Sequence, residues 1–337
     1  MTDFYRPLGA SGVKVSALCL GTMMFGGPTS EADAAGIVDA ARDAGINFID
    51  TADVYNEGRS EEITGRAIAR DRDRWVLATK LWGPMGPGPN DGGLSRRWVF
   101  RAVEGSLRRL GTDHVDIQYL HRDMREIPIA ETLGALRDLI AQGKIRYYGV
   151  SNWQSWRVAE LCALADKWGM DRPVVSQPYY NAMNRAPEAE HIPACRHFGL
   201  GVVPYSPLAR GVLTAKYDPD AAPPADSRAG RADQRMMQTE WRPESLRLAR
   251  AIDAHAVAKG FGARHFALAW VLGNRAVSAV IGGPRTLDQW RDYLRALDYP
   301  YDTADESFLD GLVAVGHPST PGYNDPAYPL IGRFAKV

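Results

Sequence analysis

The sequence predicts an α/β fold, a single (β/α)8 (TIM) barrel, on three observations. Eight short apolar runs recur along the chain, at 17–20, 47–49, 75–78, 115–120, 145–150, 174–177, 201–204 and 279–281. Amphipathic stretches separate them, and eight strands alternating with helices are the number that closes a parallel sheet into a barrel. The length agrees, because 337 residues hold the roughly 250 of such a barrel and leave material for loops. A doubly wound sheet would normally carry Gly-x-Gly-x-x-Gly after its first strand, and the chain has none. Residues 1–337 are therefore expected to form one barrel domain.

The individual elements follow from pattern and punctuation. Several of the runs are short and rich in Val and Ile, which suits strands buried on both faces. Between runs the period changes. Val99, Ala102, Val103, Leu107 and Leu110 share one helical face with arginines opposite, and Leu133, Leu136 and Ile140 repeat the pattern. Gly143 stands where a helix would end. Ser30, with Asp33 three residues on, and Ser60 and Ser95 stand where helices would be capped. Three segments are extra to the barrel: the Gly/Pro-rich loop 83–93, the Pro- and Ala-rich loop 218–240, which reads as mobile, and the tail 317–337. The tail follows the final helix, which should end near the barrel mouth, and it is expected to fold over that mouth.

Composition narrows the functional classes. Forty basic residues balance forty acidic ones, so there is no electrostatic footprint for nucleic acid. No stretch approaches the roughly 18–20 apolar residues of a membrane span, and MTDFYRPLGASG lacks a signal-peptide core. Cys19, Cys162 and Cys195 are odd in number and scattered, which argues against a disulfide framework or a cysteine zinc site. The histidines at 114, 191, 197, 255, 265 and 317 show no metal-ligand spacing. No metal, no membrane, a small-molecule partner and a cytoplasmic location are expected.

In a barrel of this kind the working residues lie at the C-terminal ends of strands. Strand two ends at Asp50, strand three at Lys80 and strand four at His121, with Tyr55 close after Asp50. Singly, a strand-end turn residue, a solvated lysine and a core histidine are the ordinary readings. On consecutive strands they predict a cluster at the mouth. Its chemistry suits carbonyl reduction: charge builds on the oxygen as hydride arrives, and a positioned acid must supply a proton. Lys80 is expected to acidify the Tyr55 phenol, Asp50 to balance the ammonium, and His121 to orient the substrate oxygen.

The segments FIDTADVYNEGRSEEITGRAI, VLATKLW, LRRLGTDHVDIQYLHR, GKIRYYGVSNW, SQPYYNAMNR and VVPYSPLARGVLTAKY resemble the aldo-keto reductase superfamily, in its order and spacing from residue 8 to about 297. The resemblance places the family's catalytic tetrad on Asp50, Tyr55, Lys80 and His121. It implies a short N-terminal hairpin, within 1–16, that plugs the barrel bottom. It also implies a nicotinamide site: Ser151, Asn152 and Gln177 for the carboxamide, Tyr205 stacked on the ring, and Gly21, Thr22 and Met23 beneath the ribose. Ser206, Leu208, Arg210 and Gly211 would follow the pyrophosphate. In VIGGPRTLDQW, residues Gly282, Gly283, Arg285, Thr286, Gln289 and Asp292 would hold the adenosine end, where Gly-Gly then Arg-Thr at a helix start is also a physical anion site. Tyr293 departs from the family, which often has Asn there. Met24, Phe25, Trp82 and Trp153, with Tyr323 or Tyr328 from the tail, would line the substrate pocket beside Tyr55 and His121. The implied activity is reversible reduction of an aldehyde or ketone with NADPH preferred over NADH. A sugar-aldehyde or pyridoxal reductase, or an NADPH-binding partner resembling channel-associated β subunits, are the alternatives.

Overall fold

Period-two alternation decides where the chemistry can sit. The computed structural model describes residues 4–225 and 227–329. Strands β1 (Tyr5–Pro7) and β2 (Lys14–Ser16) form an antiparallel hairpin. Eight parallel strands follow: β3 (Leu18–Gly21), β4 (Phe48–Asp50), β5 (Val76–Leu81), β6 (Val115–Leu120), β7 (Ile145–Ser151), β8 (Val175–Gln177), β9 (Gly201–Val202) and β10 (Val280–Gly282). They are hydrogen-bonded in the order β10-β3-β4-β5-β6-β7-β8-β9. The sheet closes on itself, because Ser278 N–H donates to Val202 O at 2.8 Å and Ile281 N–H to Pro204 O at 3.1 Å. The eight expected runs each coincide with one of these strands to within a few residues.

Helices α1 (Glu31–Asp43), α2 (Arg59–Ile68), α3 (Arg96–Leu110), α4 (Ile129–Ala141), α5 (Ser155–Trp168) and α6 (His191–Phe198) alternate with the strands. Then come α7 (Gln234–Thr239), α8 (Pro243–Val257), α9 (Ala263–Gly273), α10 (Leu287–Leu294) and α11 (Thr303–Leu312). The predicted apolar stripe of α3 is buried, Ser30 caps α1 and Ser95 caps α3, and Gly143 has the left-handed backbone of a helix stop. Ser60 is a correction. Gly58, with φ +91°, precedes α2, so Ser60 lies inside the helix, where its hydroxyl donates to Thr22 O at 2.8 Å and bonds the Thr51 hydroxyl at 3.0 Å.

Inside the barrel, Cys19, Phe48, Ala78, Ile117, Val175, Val203 and Ala279 form one apolar layer. Leu8 and Val15 from the hairpin region seal it from below. Gly9 makes that approach possible: its φ is +59°, and a Cβ there would lie 2.4 Å from Gly199 O and Gly201 N. Two residues further along each strand the same inward direction recurs. That second tier contains Gly21, Asp50, Lys80, Gln177 and Tyr205, and His121 stands one further step along the Ile117–Tyr119 row.

The loop expected at 218–240 is not a free excursion. It contains α7 and is tied down at its end, where the Tyr179 hydroxyl donates to Glu240, and along α7, where Arg210 Nε donates to Thr239 Oγ1 at 3.0 Å. The tail does cross the mouth as far as it is described. Ser319 N–H donates to Met183 O at 2.8 Å, and Arg122 donates to Ala327 O at 2.7 Å. The expected segments 1–3 and 330–337 lie outside the described residues.

Candidate active site

Asp50 and Lys80 reach one another because parallel pairing sets Asp50 opposite Ala78 and Lys80 opposite Tyr119 on adjacent strands. Lys80 is fully buried, and its three ammonium donors are all used. Nζ donates to Asp50 Oδ1, to Thr51 O at 2.7 Å and to the Tyr55 hydroxyl at 3.2 Å. Gln177 Nε2 donates to the other Asp50 oxygen at 3.0 Å. The His121 ring meets the Tyr55 ring edge-on, with centroids 6.0 Å apart. The four residues singled out at strand ends thus stand together.

Tyr55 is held by an unusual turn. Asn56 and Glu57 have left-handed backbone, with φ 48° and 60°, and Gly58 continues it. Asn56 Nδ2 ties the turn to the first strand's loop through Met23 O at 2.9 Å and Phe25 O at 2.8 Å. Gly58 suits this place because its φ is +91°, a conformation other residues adopt only with strain, and a Cβ would also crowd the Arg109 side chain at 2.7 Å.

Burial dominates the electrostatics. It opposes the charge on Lys80, but Asp50 and Tyr55 outweigh it and hold the ammonium charged above its ordinary range. Burial pushes the Asp50 carboxyl up against the pull of Lys80 and Gln177. Burial also raises the Tyr55 phenol, and Lys80 only partly offsets this. The expected acidification by Lys80 is therefore present but outweighed, since a dry phenolate is the costlier form. His121 is pushed down to about 3, by burial and then by Lys80, so it is a neutral ring. Its buried Nδ1 has no hydrogen-bond partner.

A cavity of about 980 Å³ opens above these groups. Gly21, Thr22, Met23, Met24, Asp50, Tyr55, His121, Ser151, Asn152, Gln177 and Tyr205 line its floor, and it continues past Ser206, Leu208, Arg210 and Gly211 to Gly282, Gly283, Arg285, Gln289 and Asp292. Tyr205 is braced on both sides: its hydroxyl donates to Asn152 Oδ1 at 2.8 Å, and its ring stacks on Tyr179 at 5.6 Å. Four expected residues do not line the cavity. Thr286 caps α10, accepting from Gln289 N–H. Phe25 is fully buried in the layer between strands and helices. Trp153 is buried in the same layer with Arg157 over its ring. Trp82 instead packs under Arg122 at the rim. Of the two tail tyrosines, Tyr328 lines the cavity and Tyr323 packs beneath Arg242.

The sequence reading missed the wall opposite. Lys216, Arg228, Arg231, Arg235, Arg264 and Tyr293 also face the cavity. With Arg210 and Arg285 the lining holds seven cations against Asp50, Asp233 and Asp292, a balance that suits a ligand with several negative charges. The spacing of arginines at 228, 231 and 235 was the one visible signal. Among the described residues no helix is long and apolar enough to cross a membrane.

A closed eight-stranded barrel with a buried carboxylate, ammonium, phenol and imidazole at the strand ends defines a class of oxidoreductase, and comparison with known proteins identifies it. The model of the Aldo/keto reductase family matches residues 17–314, and the chain belongs to that family. It is 38% identical over 302 residues to a rice protein named as a probable voltage-gated potassium channel subunit beta, covering 87% of this chain and 91% of that one. It is 38% identical over 311 residues to the uncharacterized oxidoreductase YrpG of Bacillus subtilis, covering 88% and 92%. It is 37% identical over 313 residues to the aldo-keto reductase AMT2 of Alternaria alternata, covering 82% and 83%. The family as a whole binds a nicotinamide cofactor and acts on small carbonyl compounds.

Proposed function

We propose that the protein reduces an aldehyde or ketone to the alcohol, reversibly, with NADPH preferred over NADH and Tyr55 as the proton donor. The observation that carries this reading is the Lys80 ammonium, bonded at once to Asp50 and to the Tyr55 hydroxyl at the floor of a cation-lined cavity. The residues present fit a nicotinamide dinucleotide. Gly21, Gly282 and Gly283 present backbone without side chains to the cavity, Tyr205 offers a braced aromatic face, and the cations lie toward the far end. When bound, that cofactor supplies the hydride to the carbonyl carbon.

The chain supplies everything else. The neutral His121 ring orients the carbonyl oxygen by hydrogen bonding without adding a competing proton source. Tyr55 then gives its proton to that oxygen as negative charge develops there. Lys80 stabilises the resulting phenolate, and Asp50 keeps Lys80 charged and aimed. Burial that raises the phenol favours the donor form at neutrality, which is the form reduction needs. Arg285 is assigned to the 2′-phosphate, with Lys216, Arg228, Arg231 and Arg264 as further cations along the groove.

The test is a panel of aldehydes, ketones and alcohols with NADPH, NADH and their oxidised forms, alongside fluorescence titration of each nucleotide. Multiple turnover with a preference for NADPH supports the reading. Tight NADPH binding without turnover of any member would favour the partner-subunit reading suggested by the names of the rice relative and its Arabidopsis thaliana counterpart.

A further inference from the structure

Two buried carboxyl groups and a partly buried arginine outside the cavity lining form a second cluster beside Tyr55. Asp53 follows Asp50 by three residues, is fully buried, and is fixed by its N–H donating to Lys80 O at 3.1 Å. Glu61 on α2 is also fully buried. It accepts from the Thr79 hydroxyl and from Arg109 Nε, the latter at 2.7 Å. Arg109 reaches it from α3 by crossing Gly58, the last residue of the turn that holds Tyr55. Two carboxyl groups therefore face one guanidinium, and the guanidinium is committed to Glu61. Neither Asp53 oxygen meets a side-chain donor, and the Val54 backbone N–H is the one donor near enough to pull the carboxyl down. An unpaired carboxylate in such a place is strongly disfavoured, so the group keeps its proton.

We propose that Asp53 is a positioning residue for proton transfer: as a neutral acid it leaves Lys80 free to act on Tyr55, and when it ionises it holds the Tyr55 proton in place and restrains alcohol oxidation. This rests on the proton-transfer role given to Tyr55. The charged groups around Asp53 are Glu61 from α2, Arg109 from α3, Lys80 from β5, Asp50 from β4 and Tyr55 itself. Burial, then Glu61, pushes the Asp53 carboxyl up to about 8, with Arg109, the Val54 backbone N–H and Lys80 pulling the other way. Its negative charge in turn raises the Tyr55 phenol. Reduction uses the phenol and oxidation uses the phenolate, so the two directions respond differently above neutrality. The acid thereby biases the enzyme toward reduction in mildly alkaline conditions.

The test uses pH profiles of kcat for alcohol oxidation, measured on the full-length enzyme with saturating oxidised nucleotide. Asp53→Asn keeps the shape and neutrality of the acid but cannot ionise. Its oxidation rate is expected to rise at lower pH than that of the unmodified enzyme, by about one pH unit. Glu61→Gln removes the second carboxylate and frees Arg109 to pair with Asp53, so Asp53 is expected to ionise at lower pH. The oxidation profile then shifts far less than in Asp53→Asn, because in both the unmodified and the Glu61→Gln protein Asp53 is ionised before the Tyr55 phenol loses its proton. A downward shift of the oxidation profile in Asp53→Asn, with Glu61→Gln instead lowering the Asp53 titration itself, is not what a purely structural role produces. Identical profiles for all three proteins would overturn the proposal. A carboxyl 13C titration of the unmodified protein, assigned by its loss in Asp53→Asn, gives a readout that needs no turnover. A signal titrating close to 8 supports the proposal, and one titrating near the ordinary value of about 4 overturns it. If no panel member is turned over at all, the reductase reading fails, and the 13C result still decides the state of Asp53.

Discussion

The four side chains at the barrel mouth and the chain that covers them are held in different ways. Asp50, Lys80 and Gln177 leave strands whose neighbours are hydrogen-bonded on both sides, and both Asp50 oxygens, the Lys80 ammonium and Gln177 Nε2 meet partners in the interior. The cover consists of α7 and the tail. It is joined by Arg235 to Asp325 at 2.9 and 2.5 Å, by Arg242 to Thr320 at 2.7 Å, and by Arg122 stacked against Tyr328 at 4.9 Å. Those contacts are partly open to solvent. The groups proposed to react are thus fixed by the fold itself, and preorganisation of that kind spares reorganisation during a reaction. The cover rests on a few polar contacts of modest strength.

The comparison is tested most severely at Tyr55. Tyr55→Phe keeps the ring and removes the proton, and carbonyl reduction under saturating NADPH is expected to fall about 10²- to 10⁴-fold. Nucleotide affinity, followed by fluorescence, should survive. Turnover close to normal would remove the distinction between the rigid floor and its cover. Lys80→Met should give a comparable loss of rate and also leave Asp50 buried without its cation. Losing one partner of a buried pair costs about 3–5 kcal/mol, so thermal unfolding should drop by a margin that Tyr55→Phe does not show.

Arg285→Ala probes the far end of the groove. A charge-assisted phosphate contact of about 1.5–3 kcal/mol corresponds to roughly 10- to 150-fold in affinity. NADPH binding should weaken by that order while NADH binding changes little. Equal affinities for the two nucleotides in the unmodified protein would refute the assignment.

A smaller effect concerns acid. His121 in the folded protein is pushed down to about 3 and His191 to about 4, both chiefly by burial. Each lies below its unfolded value of about 6.5, so between those values the unfolded chain binds more protons. Their contribution is complete above about pH 6.5 and is lost as the pH falls toward 3, at up to about 1.4 kcal/mol per pH unit for each. Denaturation of His121→Asn across pH 4–7 should show a shallower loss than the unmodified protein.

The smallest effect belongs to the cover. Asp325→Ala breaks one partly exposed pair worth about 0.2–1 kcal/mol. KM across the substrate panel should shift by no more than about fivefold, with kcat for the chemistry nearly unchanged. A loss on the scale of Tyr55→Phe would show that the tail belongs to the reacting site.

Much of the floor was legible because its signals are local. An apolar run that ends in a titratable residue states both the strand and the place where its chemistry emerges, as at 47–50 and 75–80. The misplacements have tertiary causes. Ser60 looks like a helix cap, but Gly58 caps the helix two residues earlier, where Arg109 crosses it. Trp153 follows the Ser151–Asn152 pair closely, yet its ring turns into the packed layer under Arg157. The polar composition of 218–240 reads as a mobile loop, whereas Arg235 finds its carboxylate ninety positions away at Asp325.

The amino-acid sequence by itself determined the alternation of strands and helices, the barrel that eight of them close, and the identity of Asp50, Tyr55, Lys80 and His121. Period and spacing act over a few residues, so no long-range contact is needed to express them. Only the tertiary structure decided that burial outweighs Lys80 at the Tyr55 phenol, that Asp53 meets no side-chain donor while Arg109 serves Glu61, and that α7 and the tail share the wall of one cavity. Each of these depends on which distant groups exclude water from a given atom, and desolvation is set by the whole packed surroundings rather than by neighbours in the chain.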